Sequence, residues 1–384
     1  MTAIPIRSAE QRDNRRIAKR PPLARLQSSP IQAPEERPLP LTAEIVWERP
    51  RPIIVRRETS GAAFDRTIDP YRMCEHGCVF CIAGSPHGND ELLPGLDFEG
   101  RLVIQDQAAE HLERELALAS YSPAPVVIGA SADPYHPVER QYRVTRSLLE
   151  VLQRARHPVT IVTKSNLILR DLDILTAMGR DRLVKVFVSV TTLDREVARK
   201  MQPHAPSPQK RLEAIEALND AGVPAGVMVA PIIPAITDVE IETILMRAYG
   251  AGAREAGYSV LTLGRELRDA FRERLLAHYP QKLRRAISLM QSMIDDQDRR
   301  SAGGARRGAF LANSVSYAWM IKRRFETGVR RLGYRETPAA LRTDLFRAPF
   351  SDAAGGGAPI IVLSPRVKPR RRPRRFADHA ARRQ

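Results

Sequence analysis

Between residues 59 and 275, short apolar runs alternate with amphipathic segments along the chain. The runs do not alternate with polar residues, which is typical of strands buried on both faces of a parallel sheet. They recur at intervals of about 25–40 residues, as βα units do. The predicted strands are 126–129, 159–163, 184–190, 225–230 and 258–263. We therefore predict an α/β fold, either a regular α/β barrel or a doubly wound sheet.

The segments between these strands carry signals for the start and the end of helices. Ser207 followed by Pro208 predicts an N-cap with proline at the first helical position, and Gly222 suits the left-handed residue after the last turn. Thr237, with Glu240 three residues later, predicts a capping box at the start of another helix. These signals place a helix on each side of the strand at 225–230.

After about residue 275 the pattern contains helices only. Apolar residues there recur every three or four positions and end at Gly333, which predicts a core-facing helix. They are Leu311, Val315, Ala318, Ile321, Phe325, Val329 and Leu332.

The chain divides into four predicted regions. Nine prolines within 1–58 predict an extended, disordered lead-in. The α/β series occupies 59–275, and a helical C-terminal extension follows over 276–345. A run of three glycines before an end rich in Arg and Pro predicts a flexible, disordered basic tail over 346–384.

The positive charge is concentrated at the end of the chain. Among 384 residues, 61 Lys and Arg against 44 Asp and Glu give a formal net charge of +17. Nine of the cations lie in the 19 residues 366–384, where Asp378 is the one acidic residue. We expect a solvated tail with weak, salt-dependent affinity for polyanions. A tail that targets nucleic acid or the ribosome is the alternative.

Composition excludes several classes of protein. Hydrophobic residues make up 43% and charged residues 27%, which excludes a chain that is disordered throughout. No uncharged apolar run approaches the roughly 20 residues of a membrane span. The best candidate, 225–236, is interrupted by Pro231 and Pro234. The first residues lack the apolar core of a secretory signal, so we expect a cytoplasmic protein without a membrane partner.

All three cysteines, Cys74, Cys78 and Cys81, lie within eight residues. Such clustering favours metal or cluster ligation over disulfides, because thiolates are soft ligands for zinc and for iron–sulfur clusters. The candidates for a fourth zinc ligand are His76, His87 and His136. The C-x3-C-x2-C spacing weighs against zinc, since zinc sites usually present two separated ligand pairs. Three thiolates on a cubane would leave one iron open to a substrate or cosubstrate.

The cysteine spacing, with Phe80 before the third cysteine, resembles the motif of the radical S-adenosylmethionine (SAM) superfamily. It follows a short predicted strand at 63–67. Within 69–238, five segments resemble the spore photoproduct lyase-related branch: DPYRMCEHGCVFC, GASADPYHPVER, HPVTIVTKSNLILRDLD, SVTTLD and HAPSPQKRLEAIEALNDAGVPAGVMVAPIIPAITD. The resemblance implies a partial (β/α)6 barrel of the TIM type, with the cluster and SAM at the carboxyl ends of the strands. Barrels of this class carry their chemistry at that face.

The same resemblance implies roles for individual residues. The three cysteines ligate a 4Fe–4S cluster, and the Phe80 region lies against the adenine of SAM. Ser131 and Asp133 occupy the region where relatives hold the methionine end of SAM or the substrate. Lys164 matches a lysine that meets the SAM carboxylate, and Ser189 matches a serine near SAM. A Lys ammonium suits a carboxylate, and hydroxyls suit an amino acid or a ribose.

Each position also has a structural interpretation. Asp133 could cap a turn, Lys164 could be a solvated residue at the barrel rim, and Ser189 could be a buried hydroxyl. Glu139 and Arg140, which follow the second strand, suit an ion pair.

The resemblance implies a radical SAM enzyme, in which a reduced 4Fe–4S cluster cleaves SAM to a 5′-deoxyadenosyl radical that abstracts hydrogen from a substrate. We expect a reductant such as ferredoxin or flavodoxin, and nucleic acid is a candidate substrate. Spore photoproduct lyase activity itself is an alternative. It is disfavoured because relatives use a further cysteine past the second strand, where this chain reads IGASADPY. A third interpretation is a non-enzymatic, metal-bearing nucleic-acid-binding protein.

Overall fold

The computed structural model describes residues 44–50, 52–56, 64–81, 101–263, 265–301 and 317–349, all within one compact unit, Leu39–Gln384. Three predicted features lie outside these residues. They are the lead-in before residue 44, Leu311 and Val315 of the last predicted helix, and the tail from residue 350 onward.

Ten strands and ten α-helices form within the described residues. The strands are β1 Glu44–Glu48, β2 Val55–Arg56, β3 Arg66–Ile68, β4 Tyr71–Arg72, β5 Arg101–Gln105, β6 Val126–Ile128, β7 Val159–Thr163, β8 Val184–Ser189, β9 Ala225–Ile232 and β10 Ala256–Val260. The helices are α1 Ala108–Leu116, α2 Glu139–Tyr142, α3 Val144–Arg154, α4 Leu172–Arg180, α5 Arg195–Met201, α6 Pro208–Asp220, α7 Ile241–Gly250, α8 Arg265–His278, α9 Pro280–Ser301 and α10 Tyr317–Leu332. Two short 3₁₀ turns span Asn166–Asp171 and Asp238–Glu240.

The main sheet is a curled half-barrel of seven strands in the order β10-β9-β8-β7-β6-β3-β2. Neighbouring strands from β3 to β10 are parallel, and β2 pairs antiparallel with β3. A second sheet has the order β1-β5-β4. The predicted partial barrel is confirmed. Each predicted strand of the α/β series is present, β7 with the predicted bounds and the others with slightly different ones.

Burial alternates along the central strands. In β7 and β8, Ile161 and Val186 are fully buried, whereas Val162 and Phe187 are only half-buried. Alternate residues of a strand point to opposite faces. One face of the half-barrel is therefore covered by helices, and the other is covered only in part.

A second apolar cluster joins the loop after β4 to the C-terminal helices. Cys78 and Phe80 of the loop pack with Phe271 and Leu275 of α8 and with Met290 of α9. The helical extension therefore supports the cysteine loop as well as lengthening the chain.

Two predicted helices are confirmed. The Ser207 hydroxyl caps α6 by accepting a backbone N–H, and Gly222 lies beyond its last turn with φ of +80°. In α10, Ile321 and Phe325 are buried, and the helix ends before Gly333, whose φ is also +80°.

The predicted capping box at Thr237 and Glu240 is wrong. The Thr237 hydroxyl accepts the backbone N–H of Ile233 at 2.9 Å. The Glu240 carboxylate accepts the Thr192 hydroxyl at 2.5 Å and the backbone N–H of Leu193 at 2.7 Å. Tertiary partners satisfy both side chains, and a 3₁₀ turn replaces the capped start of α7.

Parts of the outer predicted regions are packed. Strands β1 and β2 lie within the predicted lead-in, and α8 begins before the predicted helical extension. Phe346, at the start of the predicted tail, contacts Tyr121 and His157, with ring centroids 5.6 Å from each. No helix among the described residues is long and apolar enough to cross a membrane.

Candidate active site

The three cysteines lie on the loop that follows β4. The end of α5 and the segment that follows it hold this loop through two backbone hydrogen bonds, from Val79 N–H to Met201 O at 3.1 Å and from His204 N–H to His76 O at 3.3 Å. A Cβ atom at Gly77, whose φ is +59°, would lie 3.0 Å from the His204 ring. The close approach of the two segments therefore requires glycine there.

The environments of the cysteine thiols differ. Burial raises the pKa of Cys78 to about 11, against the opposing charges of Lys164 and Arg211. A hydrogen bond with Cys81 outweighs burial and lowers the pKa of Cys74 well below its usual range, and the His76 side chain adds to this effect. The environment of Cys74 therefore favours its thiolate, whereas the cations that act on Cys78 offset its burial only in part.

Asp133 connects the ends of β6 and β7. Its carboxylate accepts the backbone N–H of Tyr135 at 3.0 Å, the Thr163 hydroxyl at 2.6 Å and the backbone N–H of Lys164 at 2.7 Å. The side chain is buried. These contacts give Asp133 the capping role expected of a buried carboxylate that accepts backbone N–H groups.

Ser131 also lies at this edge of the sheet. Its hydroxyl donates to Asp69 Oδ2 at 3.1 Å, across the ends of β6 and β3. Ser189, the last residue of β8, is buried, and its carbonyl oxygen accepts a hydrogen bond from Arg211 at 3.0 Å. The fold thus brings Ser131 and Asp133, which follow β6, and Ser189, which ends β8, to the same carboxyl-terminal edge of the sheet, as the sequence predicts.

Lys164 follows β7 and is half-buried beside the cysteines. Burial disfavours its ammonium, but the negative charges of Cys78, Asp133 and Cys74 outweigh that effect and raise the pKa of Lys164. No carboxylate of the described residues lies within ion-pair distance of the ammonium. A cation in this position is suited to bind an anionic ligand.

Phe80 is enclosed by the chain's own apolar side chains. It is 4% exposed and belongs to the cluster that includes Met201, Ile233, Leu261 and Phe271. Its ring fixes the cysteine loop against the core, and a contact with adenine stays a prediction.

The histidines near the loop lie between carboxylates and sulfur. His76 Nδ1 is 3.5 Å from Asp133 Oδ2, and His136 Nδ1 is 3.5 Å from Glu75 Oε2. No three His, Cys, Asp or Glu side chains in the described part of the chain converge on a point suited to one metal ion. The arrangement therefore gives no support to a zinc site completed by His76 or His136. The third candidate ligand, His87, lies outside the described residues.

The chemistry of these residues fits an iron–sulfur cluster, because thiolates are soft ligands. A cluster distributes its thiolates over several irons, so the sulfur atoms need not converge on one point. Cys74, Cys78 and Cys81 lie on one loop, and the cations Lys164 and Arg211 act on the Cys78 sulfur.

Sequence reasoning missed Arg211, which an amphipathic helix would normally expose. It also paired Glu139 wrongly. The Glu139 carboxylate is fully buried and binds Arg170 at 2.6 Å, whereas Arg140 is exposed. Arg170 in turn binds Asp171 at 2.9 Å. The pairing is long-range because the loop before α4 packs against α2, and no local pattern signals it.

Comparison with known proteins finds a matching family profile, related chains and a similar solved structure. The profile of the radical SAM superfamily matches residues 68–248. The chain is 33% identical over 211 residues to the Mycobacterium tuberculosis protein Rv2578c, covering 54% of this chain and 61% of the relative. It is 26% identical over 209 residues to the Methanocaldococcus jannaschii protein MJ0683, covering 51% of this chain and 71% of the relative. A solved spore photoproduct lyase in complex with dinucleoside spore photoproduct has a TM-score of 0.44 at 15% identity, covering 62% of this chain and 66% of that one.

Proposed function

Because residues 68–248 match the profile of the radical SAM superfamily, we propose that this chain is an enzyme that uses a 4Fe–4S cluster and SAM to abstract hydrogen from an organic substrate. The observation that carries the proposal is the arrangement at the carboxyl ends of β6 to β8. The loop of the three cysteines reaches this edge, where His76 Nδ1 lies 3.5 Å from the Asp133 carboxylate that also accepts the Lys164 backbone N–H at 2.7 Å.

The cluster would be held by Cys74, Cys78 and Cys81, and when reduced it supplies the electron that cleaves SAM to a 5′-deoxyadenosyl radical. The chain's contribution is to bind and orient. The Lys164 ammonium neutralises the carboxylate of SAM. Ser189 offers polar contacts at the end of β8.

Asp133 acts through Lys164 in this proposal. It accepts the Lys164 backbone N–H at 2.7 Å and is saturated by groups of the chain itself. We therefore assign it to positioning the lysine. Ser131, whose hydroxyl binds Asp69, lies at the mouth of the half-barrel and is suited to contact the methionine end of SAM or the substrate. The Phe80 region of the cysteine loop would lie against the adenine.

Partners follow from charge and chemistry. A one-electron donor such as ferredoxin or flavodoxin supplies the reducing equivalent, and the basic tail favours nucleic acid as a partner. Repair of a thymine dimer with a cysteine hydrogen donor is disfavoured, since each of the chain's three cysteines belongs to the C-x3-C-x2-C motif.

Metal analysis after anaerobic reconstitution tests the proposal. We expect about four irons per chain and an oxygen-labile brown protein. Cys78→Ser is the matched variant, because it changes one atom of a ligand and should lower the iron content. One tightly bound zinc and no iron would contradict the proposal.

A further inference from the structure

Arg211 is the largest side chain that is fully buried in the described part of the chain. It lies on α6, and its guanidinium donates three hydrogen bonds. They run to Pro206 O at 2.9 Å, to Ser189 O at 3.0 Å and to Gln202 Oε1 at 2.7 Å. All three acceptors are neutral. The hydrogen-bonding capacity of the guanidinium is thus used, but its charge is not balanced.

A buried charge without an opposite charge is costly, and proteins pair such charges almost without exception. Among the described residues, no carboxylate lies within ion-pair distance of Arg211. The ionisable groups that act on it electrostatically are Cys78 and Asp133. Burial dominates over both and lowers the pKa of Arg211 to about 10, so the guanidinium stays charged at neutral pH. An anionic group bound nearby would therefore balance the charge of the guanidinium.

The position of Arg211 is fixed by a polar network. Gln202, which accepts from Arg211, donates to the Thr191 hydroxyl at 3.1 Å, and Thr191 donates to Ala230 O at 2.9 Å in β9. Thr191 and Gln202 are both buried. The network thereby joins β8 and β9 to the segment between α5 and α6.

The end of α5 and this segment hold the cysteine loop through Met201 O and the His204 N–H. Arg211 therefore binds both the end of β8 and the segment that supports the loop carrying the thiols. A cluster with three thiolate ligands is anionic and gains a further negative charge on reduction. The negative charge of the cluster would balance the positive charge of the buried guanidinium.

We propose that Arg211 is a positioning residue that supplies the built-in counter-charge of the cluster held by Cys74, Cys78 and Cys81, and so stabilises its reduced state. The assignment rests on the proposed function. Lys164 is assigned to the cosubstrate, whereas Arg211 is fixed in the core by three hydrogen bonds to neutral acceptors.

The test is the midpoint potential of the reconstituted cluster, followed by electron paramagnetic resonance, in the full chain and in Arg211→Met and Arg211→Lys. Arg211→Met should make reduction at least tenfold less favourable, a fall of about 59 mV for one electron. Arg211→Lys keeps the charge and should stay within threefold of the original. Lys185→Met removes a cation that is ion-paired at the amino end of β8 and should leave the potential unchanged.

Iron content and melting temperature are measured for each variant, to separate the potential from folding. If Arg211→Met does not fold, Arg211→Gln takes its place, because glutamine is polar but uncharged, and the same tenfold effect is required. An unchanged potential in the uncharged variant, or an equal fall in Arg211→Lys, would overturn the assignment. A parent chain that binds no iron would refute the proposed function, and with it this assignment.

Discussion

Charged side chains are paired differently at the two ends of the parallel strands. At the amino ends, Lys185 and Glu255 form an ion pair at 2.8 Å, and Glu255 also accepts the backbone N–H of Ala339 at 2.9 Å. At the carboxyl ends, Lys164 and Arg211 have no carboxylate within ion-pair distance in the part of the chain that the structure describes. One end is balanced by the chain itself, and the other needs a ligand to be balanced.

The amino end is also closed by the chain. The segment 334–349 crosses it, and three of its backbone N–H groups bind carbonyl oxygens in the loops before β7, β8 and β10. These oxygens belong to Ala155, Arg182 and Arg254. We call the amino end, with its paired charges and covering segment, the structural end. The carboxyl end, with the cations Lys164 and Arg211 and the cysteine thiols, is the chemical end.

The largest effect on stability should come from breaking a matched buried charge. Glu139 is fully buried and accepts hydrogen bonds from Tyr71, from the Thr145 N–H at 3.0 Å and from Arg170 at 2.6 Å. Glu139→Ala leaves these donors unsatisfied, and we expect a loss of about 3–5 kcal/mol in the free energy of unfolding. Urea unfolding followed by circular dichroism measures it.

The exposed neighbour is the control for this variant. Arg140→Ala should change the free energy of unfolding by less than about 0.5 kcal/mol. A loss below about 1 kcal/mol for Glu139→Ala would show that the Glu139–Arg170 ion pair contributes no more to stability than a surface ion pair does.

The next effect is a pH dependence at the structural end. Burial, with a smaller contribution from Arg66, lowers the pKa of His157 from 6.5 to about 4, and the ring binds the Tyr121 hydroxyl at 2.7 Å. Below pH 6.5 the unfolded chain binds the proton and the folded chain does not. His157 therefore contributes stability above pH 6.5 that is lost as the pH falls towards 4, by about 1.4 kcal/mol per pH unit.

Denaturant unfolding between pH 7 and pH 4.5 measures this slope. In His157→Gln the contribution is absent, so the variant should lose less stability than the parent over that range. Parallel curves for the two proteins would show that His157 is already charged in the folded state.

A smaller effect is expected when an unmatched cation is removed. Lys164→Ala should leave the fold and the iron content intact and weaken SAM binding by roughly ten- to a hundredfold, or 1.5–3 kcal/mol. Equilibrium dialysis of the reconstituted protein measures the affinity. Lys210→Ala, on the exposed face of α6, is the control. Unchanged SAM affinity in Lys164→Ala would show that Lys164 is a solvated residue at the barrel rim that does not bind SAM.

The smallest effect on the folded body is expected from deleting the tail 366–384. Iron content and SAM cleavage should not change, whereas the affinity for DNA or RNA should fall and depend less steeply on salt. Titration of both chains against duplex DNA and single-stranded RNA at two salt concentrations measures this. Equal affinity and equal salt dependence would assign the nucleic-acid contact to the folded body.

The chemical end could be predicted from the sequence in large part, because its signals are local. The cysteine spacing, the apolar strands and the residues that follow each strand lie in short segments, and the fold brings Asp133, Lys164 and Ser189 to one edge. The cap of α6 by Ser207 is likewise a local signal.

The remaining features depend on tertiary packing. Arg211 is buried because the segment before α6 folds back and presents Pro206 O and Gln202 to it. Arg170 lies 31 residues from Glu139, and no periodic pattern connects the two. The capping box failed because Thr192 and Leu193, from the β8–α5 loop, bind the Glu240 carboxylate.

The most direct test of the account is reductive cleavage of SAM by the reconstituted chain. Mass spectrometry of the dithionite-reduced protein should detect 5′-deoxyadenosine and methionine, and Cys78→Ala should produce neither while keeping its circular dichroism spectrum. A fully iron-loaded parent that releases no 5′-deoxyadenosine, or a Cys78→Ala variant that releases as much as the parent, would contradict the assignment of the carboxyl end as a radical SAM site.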